Sequence, residues 1–246
     1  MRIGIHLGLL LFACSTLFAQ YTDQINSNRP GESIGAFSVG TGVIQFEAGG
    51  EYRFYKHKGY NNSKINGNIG FFSLRWGFLK EQLELTYEGS YLMDKLTSAI
   101  VTPNPVYKQD GFLRNFIGVK YLVYDPYKNS GEEKPNIYSY HANRKFKWKS
   151  LIPAVSVYVG ANFDTKNNSY TAPDVEGFSP KVMIASQNNF NGGWVFVINL
   201  VKDRIGSDFS DFQYIIALTK SVGQQWAVFG EAQGIKSDFY ADNLFR

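Results

Sequence analysis

Beyond its first twenty residues this chain has no long apolar run, no cysteine and only the histidines His57 and His141, and each shortage removes a class of protein. A membrane-spanning helix needs about 20 consecutive apolar residues, so a helical bundle is excluded. Without cysteine there is no disulfide in an oxidising compartment and no thiolate metal site. No HExxH, P-loop or calcium-loop pattern is present, and no cofactor or metal is expected. Charge is modest at +4, from 25 Lys and Arg against 21 Asp and Glu, and it is scattered except for one cluster. That argues against a nucleic-acid partner. Gly31-Glu32-Ser33-Ile34-Gly35 spells G-x-S-x-G, but a nucleophile elbow needs a strand before it and a helix after it. Pro30 and an Asn-rich approach deny the strand, while Phe37 to Glu47 runs into one. The chain is therefore not expected to be an enzyme.

Residues 1-20 form an export leader: Arg2 supplies the positive region, Ile3 to Ala13 the apolar stretch, and Leu17-Phe18-Ala19-Gln20 the cleavage region. Cys14, the sole cysteine, leaves with it. Leu11-Phe12-Ala13-Cys14 resembles a lipoprotein cleavage box, although Phe12 fits it poorly.

What the chain has in quantity is alternation. From Val43 to Tyr55, Ile44, Phe46, Ala48, Gly50, Tyr52 and Phe54 fall on one face, while Gln45, Glu47, Glu51 and Arg53 fall on the other. A period of two marks a strand with two unlike sides, and a dozen such residues suffice to cross a bilayer at a tilt. Eight further candidates follow: Ile65 to Phe78, Gln82 to Met93, Phe112 to Tyr124, Leu151 to Phe163, Ser179 to Asn188, Trp194 to Asp203, Phe212 to Ser221 and Gln225 to Gly234. Aromatic content of 16%, with 16 Tyr and 20 Phe, suits rings gathered where hydrocarbon meets water. The expected fold is all-β, a transmembrane antiparallel β-barrel over residues 43-246, located in the bacterial outer membrane. A soluble sandwich or lipocalin-like barrel is the alternative, but the strands are long for a sandwich.

Connection lengths test this independently. If the first strand rises from the periplasm, the short turns at Leu79-Lys80-Glu81, Phe190 to Gly193 and Val222 to Gln224 share the periplasmic side. The longer, polar connections Lys56 to Lys64, Asp94 to Gly111, Asp164 to Phe178, Arg204 to Asp211 and Ile235 to Ala241 lie outside. On that parity His57 and His141 stand on opposite sides and cannot share a site. Asp125 to Ser150 is long on the short side. It holds Arg144, Lys145, Phe146, Lys147, Trp148 and Lys149, a basic and aromatic stretch suited to lipid headgroups or to a periplasmic protein partner. Nine strands and the fragment Asp242 to Arg246 do not make an even, closed barrel. Either the fragment is a very short tenth strand, or one of the nine strands is really two, or further hairpins lie beyond Arg246, with about 10 to 12 strands expected in the intact barrel.

The face opposite the lipid carries Glu47, Glu51, Arg53, Arg75, Glu84, Glu88, Arg114, Lys120, Lys181 and Glu231. Charges of both signs in a narrow lumen are expected to pair. Residues 21-42, polar and turn-rich, precede the first strand and form a candidate lumen plug through Asn28, Arg29 and Glu32. Asn28-Arg29-Pro30-Gly31-Glu32-Ser33, then Gly42, Gln45-Phe46-Glu47 and Gly49 to Tyr52, resembles the opening of the "MetA-pathway of phenol degradation" family of outer-membrane transporters. Asn28 stands where that family has Asp. The resemblance implies a barrel that passes or binds small, apolar or aromatic solutes, without naming phenol as the substrate. The alternative is a non-conducting barrel that serves as a scaffold in an envelope or secretion complex.

Overall fold

The computed structural model describes residues 28, 31–57, 62–100, 103–128, 148–166, 168, 170–171, 176–223, 226–237 and 244–245. Ten strands follow one another in a single antiparallel sheet whose spatial order is the chain order. They are β1 (Ile44–His57), β2 (Ser63–Gly77), β3 (Leu83–Thr97), β4 (Val106–Tyr124), β5 (Ala154–Asp164), β6 (Gly177–Phe190), β7 (Trp194–Asp203), β8 (Asp211–Val222), β9 (Trp226–Ser237) and β10 (Leu244–Phe245). Side chains of β1 and β9 line one cavity together with those of the strands between them, so the sheet curls into a half-barrel. Hairpin connection is the simplest way to build such a meander, because antiparallel neighbours need only a tight turn. Gly192 and Gly193, at φ 84° and 76°, close one of these turns beside the Phe190↔Trp194 pair. Only glycine takes two such angles in succession at little cost.

The distribution of side chains reverses that of a water-soluble protein. On the outer face of β1, Ile44, Phe46, Tyr52 and Phe54 are 55–66% exposed. On the inner face, Arg75, Glu84 and Lys120 are at most 1% exposed. Apolar residues look outward all round the sheet, with Val123 on β4, Val159 on β5, Leu218 on β8 and Val228 on β9 among them.

All nine expected strands are present, and the differences lie at their ends. The β3–β4 ladder runs from Leu83↔Tyr121 to Thr97↔Val106 through an irregularity at Ser90/Tyr91, so most of the expected connection Asp94 to Gly111 is strand. The connecting residues are 98–105. Alternation is weak there because Asp94, Lys95, Lys108, Gln109 and Asp110 put polar groups on both faces. The backbone ladder does not need apolar side chains to form. At the start of β5 the correction is opposite. Leu151 ends a short 3-10 helix (Trp148–Leu151), and Pro153, which has no N–H, delays the ladder to Ala154. Near the end of the chain, Leu244 and Phe245 pair with Ile235 and Gly234 as a two-residue tenth strand.

No described helix is long and apolar enough to cross a membrane, a fact that leaves crossing by strands open.

Candidate functional site

The chain reaches β1 by passing through the interior of its own sheet. Residues 31–40 have no regular secondary structure, and Ala36 and Val39 within them are 0% and 7% exposed. Buried main chain without a ladder must find partners elsewhere. Here the interior side chains supply them. The Glu231 carboxylate accepts from the N–H groups of Glu32 at 3.0 Å and Ser33 at 2.9 Å. Asn199 accepts from the Ile34 N–H at 2.7 Å and donates to the Ile34 carbonyl at 2.8 Å, forming a two-point clasp. Gln187 accepts from the Ala36 N–H at 3.0 Å, and Glu84 from the Val39 N–H at 2.8 Å. Lys120 Nζ donates to the carbonyls of Gly35 and Phe37, at 3.1 and 2.8 Å.

Close passage also needs space. A Cβ at Gly77 would collide with the Val39 and Gly40 carbonyls, so the segment crosses β2 where a side chain is missing. The Gly42 N–H then bonds the Gly77 carbonyl at 2.7 Å, which steers the chain into β1.

Two charged groupings divide the interior by height. The lower one is a triad centred on Glu84, which accepts a fork from Arg75 at 2.8 and 2.9 Å and lies 3.4 Å from Lys120. Arg75 also donates to the Phe37 carbonyl at 3.2 Å. All three groups are essentially without solvent contact, and the triad grips the segment as well as itself. The upper grouping surrounds a cavity of about 600 Å³ whose floor includes Glu32 and Ile34. Arg114 pairs with Glu32, Lys181 lies 3.4 Å from Asp203, and Arg204 donates to Asp164 at 3.2 Å. Lys181 also stands 4.3 Å from the centre of the Phe116 ring, within cation–π range. Aromatic rings from Phe71, Phe112, Tyr158 and Phe229 share this wall with the charges. Tyr158 lies flat against β4 because Gly118 leaves room for it; a Cβ there would occupy the place of the phenol.

Asp164 ends β5, and Asn168 and Arg204 lie in the longer connections that follow β5 and β7, so the cavity opens toward that end of the sheet. Burial works against the charge of Arg204, but its hydrogen bond to Asp164 and the nearby Asp203 and Asp211 carboxylates raise its pKa above the ordinary value.

Of the residues expected to face inward, Glu51, Glu88, Arg114, Lys181 and Glu231 line the cavity. Arg75, Glu84 and Lys120 form the triad below it. Arg53 donates to Asp94 on the inner side, through Nε at 3.1 Å, and Glu47 is beside Gln45 on the same face of β1. Glu32 stands in the segment, and the Asn28 side chain accepts from the Gly35 N–H at 3.1 Å, bending the segment on itself. Arg29 lies outside the described residues, as do Arg144, Lys145, Phe146, Lys147 and His141. Trp148 is described at the start of the 3-10 helix and is 79% exposed; Lys149 follows it in the helix. The motif Gly31 to Gly35 sits in the irregular segment, neither following a described strand nor preceding a helix.

The sequence reading missed Asp94, Asp164, Asp203, Arg204, Gln187 and Asn199. Asn199 carried a signal, since it interrupts the inward row Val197, Asn199, Val201 of β7 with a lone amide. Among the described residues no group of three His, Cys, Asp or Glu is placed to hold a metal ion.

A curled antiparallel meander, apolar outside, charged inside and threaded by its own leading segment, defines the class as β-barrel. The sequence profile of the family described as "Putative MetA-pathway of phenol degradation" matches residues 27–243, and the chain belongs to that family. A search of curated proteins finds no match.

Proposed function

We propose that this protein is a bacterial outer-membrane barrel that passes small solutes by diffusion, with residues 31–40 as an interior plug and the 600 Å³ cavity as its vestibule. The observation that carries this reading is the occupancy of the interior by main chain held through side chains. A structural core would have been filled more simply with apolar residues, whereas hydrogen bonds from Asn199, Gln187 and Glu231 can be exchanged for water when the segment leaves. The outward apolar band supports a lipid environment, because isolated alternation of this kind on every strand is what a bilayer-facing wall requires. Rings beside charges in the vestibule favour small solutes with an apolar body, and the family description associates relatives with phenol breakdown without naming what this chain carries. Transport here is passive and the protein is not an enzyme.

Conductance in planar bilayers tests the reading. Wild-type protein is expected to show low, intermittent conductance, and a variant lacking residues 31–40 a steady and several-fold larger one. If both are silent while heat-modifiable mobility shows folded barrels, the channel reading fails and a non-conducting scaffold in an envelope complex takes its place.

A further inference from the structure

At the end of the sheet that bears the longer connections, the register of β1 to β4 sets lysine against lysine. Lys56 stands directly opposite Lys64 across the β1–β2 ladder, and Lys95 directly opposite Lys108 across the β3–β4 ladder. Lys64 is opposite Thr97, so Lys95, two residues back on β3, is its diagonal neighbour. Direct partners lie about 5 Å apart and diagonal ones about 7–8 Å. The four side chains therefore form one continuous basic row over four strands, and all four residues are exposed. Like charges placed opposite one another weaken a sheet, and two such pairs in adjoining hairpins call for an anion between them.

The row is on the outer face. Arg53 and Asp94 meet on the inner side, and side chains alternate, so Phe54 and Lys56 on β1 and Met93 and Lys95 on β3 point away from the interior. Tyr52, Phe54 and Met93 continue that face toward the middle of the wall and are 54–66% exposed. Neither connection at this end, residues 58–62 and 98–105, contains Asp or Glu. Of the carboxylates on the strands themselves, Asp94 is turned inward to Arg53, and Asp110 accepts from the Tyr91 hydroxyl. The far half of the wall is built differently: in its ladders the outward lysines Lys202 and Lys236 each stand opposite Phe212. Cations above and apolar side chains below, on one surface, complement an amphiphile with an anionic head and alkyl chains. A row that spans four strands suits a head with more than one phosphate, since each phosphate takes charge-assisted hydrogen bonds from the ammonium groups beside it.

We infer that the outward face of β1 to β4 at this end binds a phosphorylated glycolipid of the external leaflet, with its phosphates among Lys56, Lys64, Lys95 and Lys108 and its acyl chains on the apolar side chains below. The inference rests on the outer-membrane reading and adds to it a specific lipid partner, independent of whether the barrel conducts.

The test is titration of the full mature chain, folded in a neutral maltoside detergent, with diphosphoryl lipid A, read by native mass spectrometry. A lysine beside an anionic head contributes a factor of about five in affinity, so Lys64→Gln combined with Lys95→Gln should weaken lipid A about 25-fold. Lys202→Gln combined with Lys236→Gln makes the same change of charge on the far half and should leave affinity within about twofold. Raising the salt concentration should weaken the wild-type complex, and inorganic phosphate in about tenfold excess should not displace the lipid, because the free ion lacks the chains. Without lipid, the first double variant should unfold at or above the wild-type temperature, since each hairpin loses a repulsion; Lys56→Gln combined with Lys108→Gln is the second variant if it fails to fold. No binding by the wild type, no loss in the first double variant, or an equal loss in both would overturn the inference. Displacement by inorganic phosphate would overturn it as well, marking the row as a site for the free anion. A mature chain that stays monodisperse without detergent would sink the outer-membrane reading and this inference together, whereas a detergent-dependent chain that ignores lipid A sinks only the inference.

Discussion

The lower and upper halves of the interior use the same side-chain chemistry for opposite ends. Below, Glu84, Arg75 and Lys120 are wholly enclosed and turn their remaining hydrogen-bonding capacity onto the main chain of residues 35–39. Above, the pairs Arg114–Glu32, Lys181–Asp203 and Arg204–Asp164 stand around open volume. What differs is the filling. Charges pressed against backbone act as a clasp, whereas charges around a cavity set the potential that a solute meets. The comparison teaches that an inward-facing charge acquires its role from what lies beside it, and that its energetic weight follows how fully it is removed from water.

The sharpest way to break the comparison is Glu84→Gln. It removes the one negative charge of the triad and leaves Arg75 and Lys120 facing each other without solvent, the situation in which breaking a buried pair costs about 3–5 kcal/mol. Unfolding in denaturant from detergent should show a loss of that size, with a lower temperature for the heat-modifiable transition. A loss under about 1 kcal/mol would mean that water reaches the triad and that the lower interior is no different from the upper.

Asn199→Ala separates the segment from the sheet. The substitution deletes the two-point clasp on Ile34 and leaves one N–H and one C=O to find other partners, at about 1–3 kcal/mol for a buried group left unsatisfied. The sheet ladder on β7 does not use that side chain, so strand pairing should persist. The expected result is a more open channel at nearly unchanged barrel stability. If instead the whole barrel weakens as much as in Glu84→Gln, the segment is structural and not a removable plug.

How much of this was legible in the sequence follows from the same physics. Strand positions on β1, β7 and β8 were readable because one face meets oil and the other meets charge, and such contrast writes a period of two into the residues. Where β3 and β4 run on past Met93 and Phe112, both faces are polar and the period disappears, although the ladder continues. The inward direction of Arg75, Glu84 and Lys120 could be projected from alternation; their convergence could not, since it brings together residues from three strands in a register that turns and an irregularity at Ser90/Tyr91 decide. The segment advertised itself only by lacking alternation. Nothing local in Ile34, Ala36 or Val39 says that Asn199, Gln187 and Glu84 will bond their N–H groups, because those partners stand 45 to 165 residues away. Asp164 and Arg204 were hidden for another reason, being placed where strands give way to connections and alternation no longer assigns a side.

The smallest effect supplies the control that the comparison needs. Lys128 and Glu81 form a pair at 3.7 Å near the turn end of the sheet, with side chains 52% and 79% exposed. The charges carry the same signs as Lys120 and Glu84, but water surrounds them and screens their attraction. Lys128→Ala should therefore change stability by less than about 0.5 kcal/mol, measured beside Glu84→Gln in the same denaturant series. A cost approaching that of Glu84→Gln would show that opposite charges stabilise this barrel wherever they sit, and the distinction drawn between enclosed clasp and solvated rim would collapse with it.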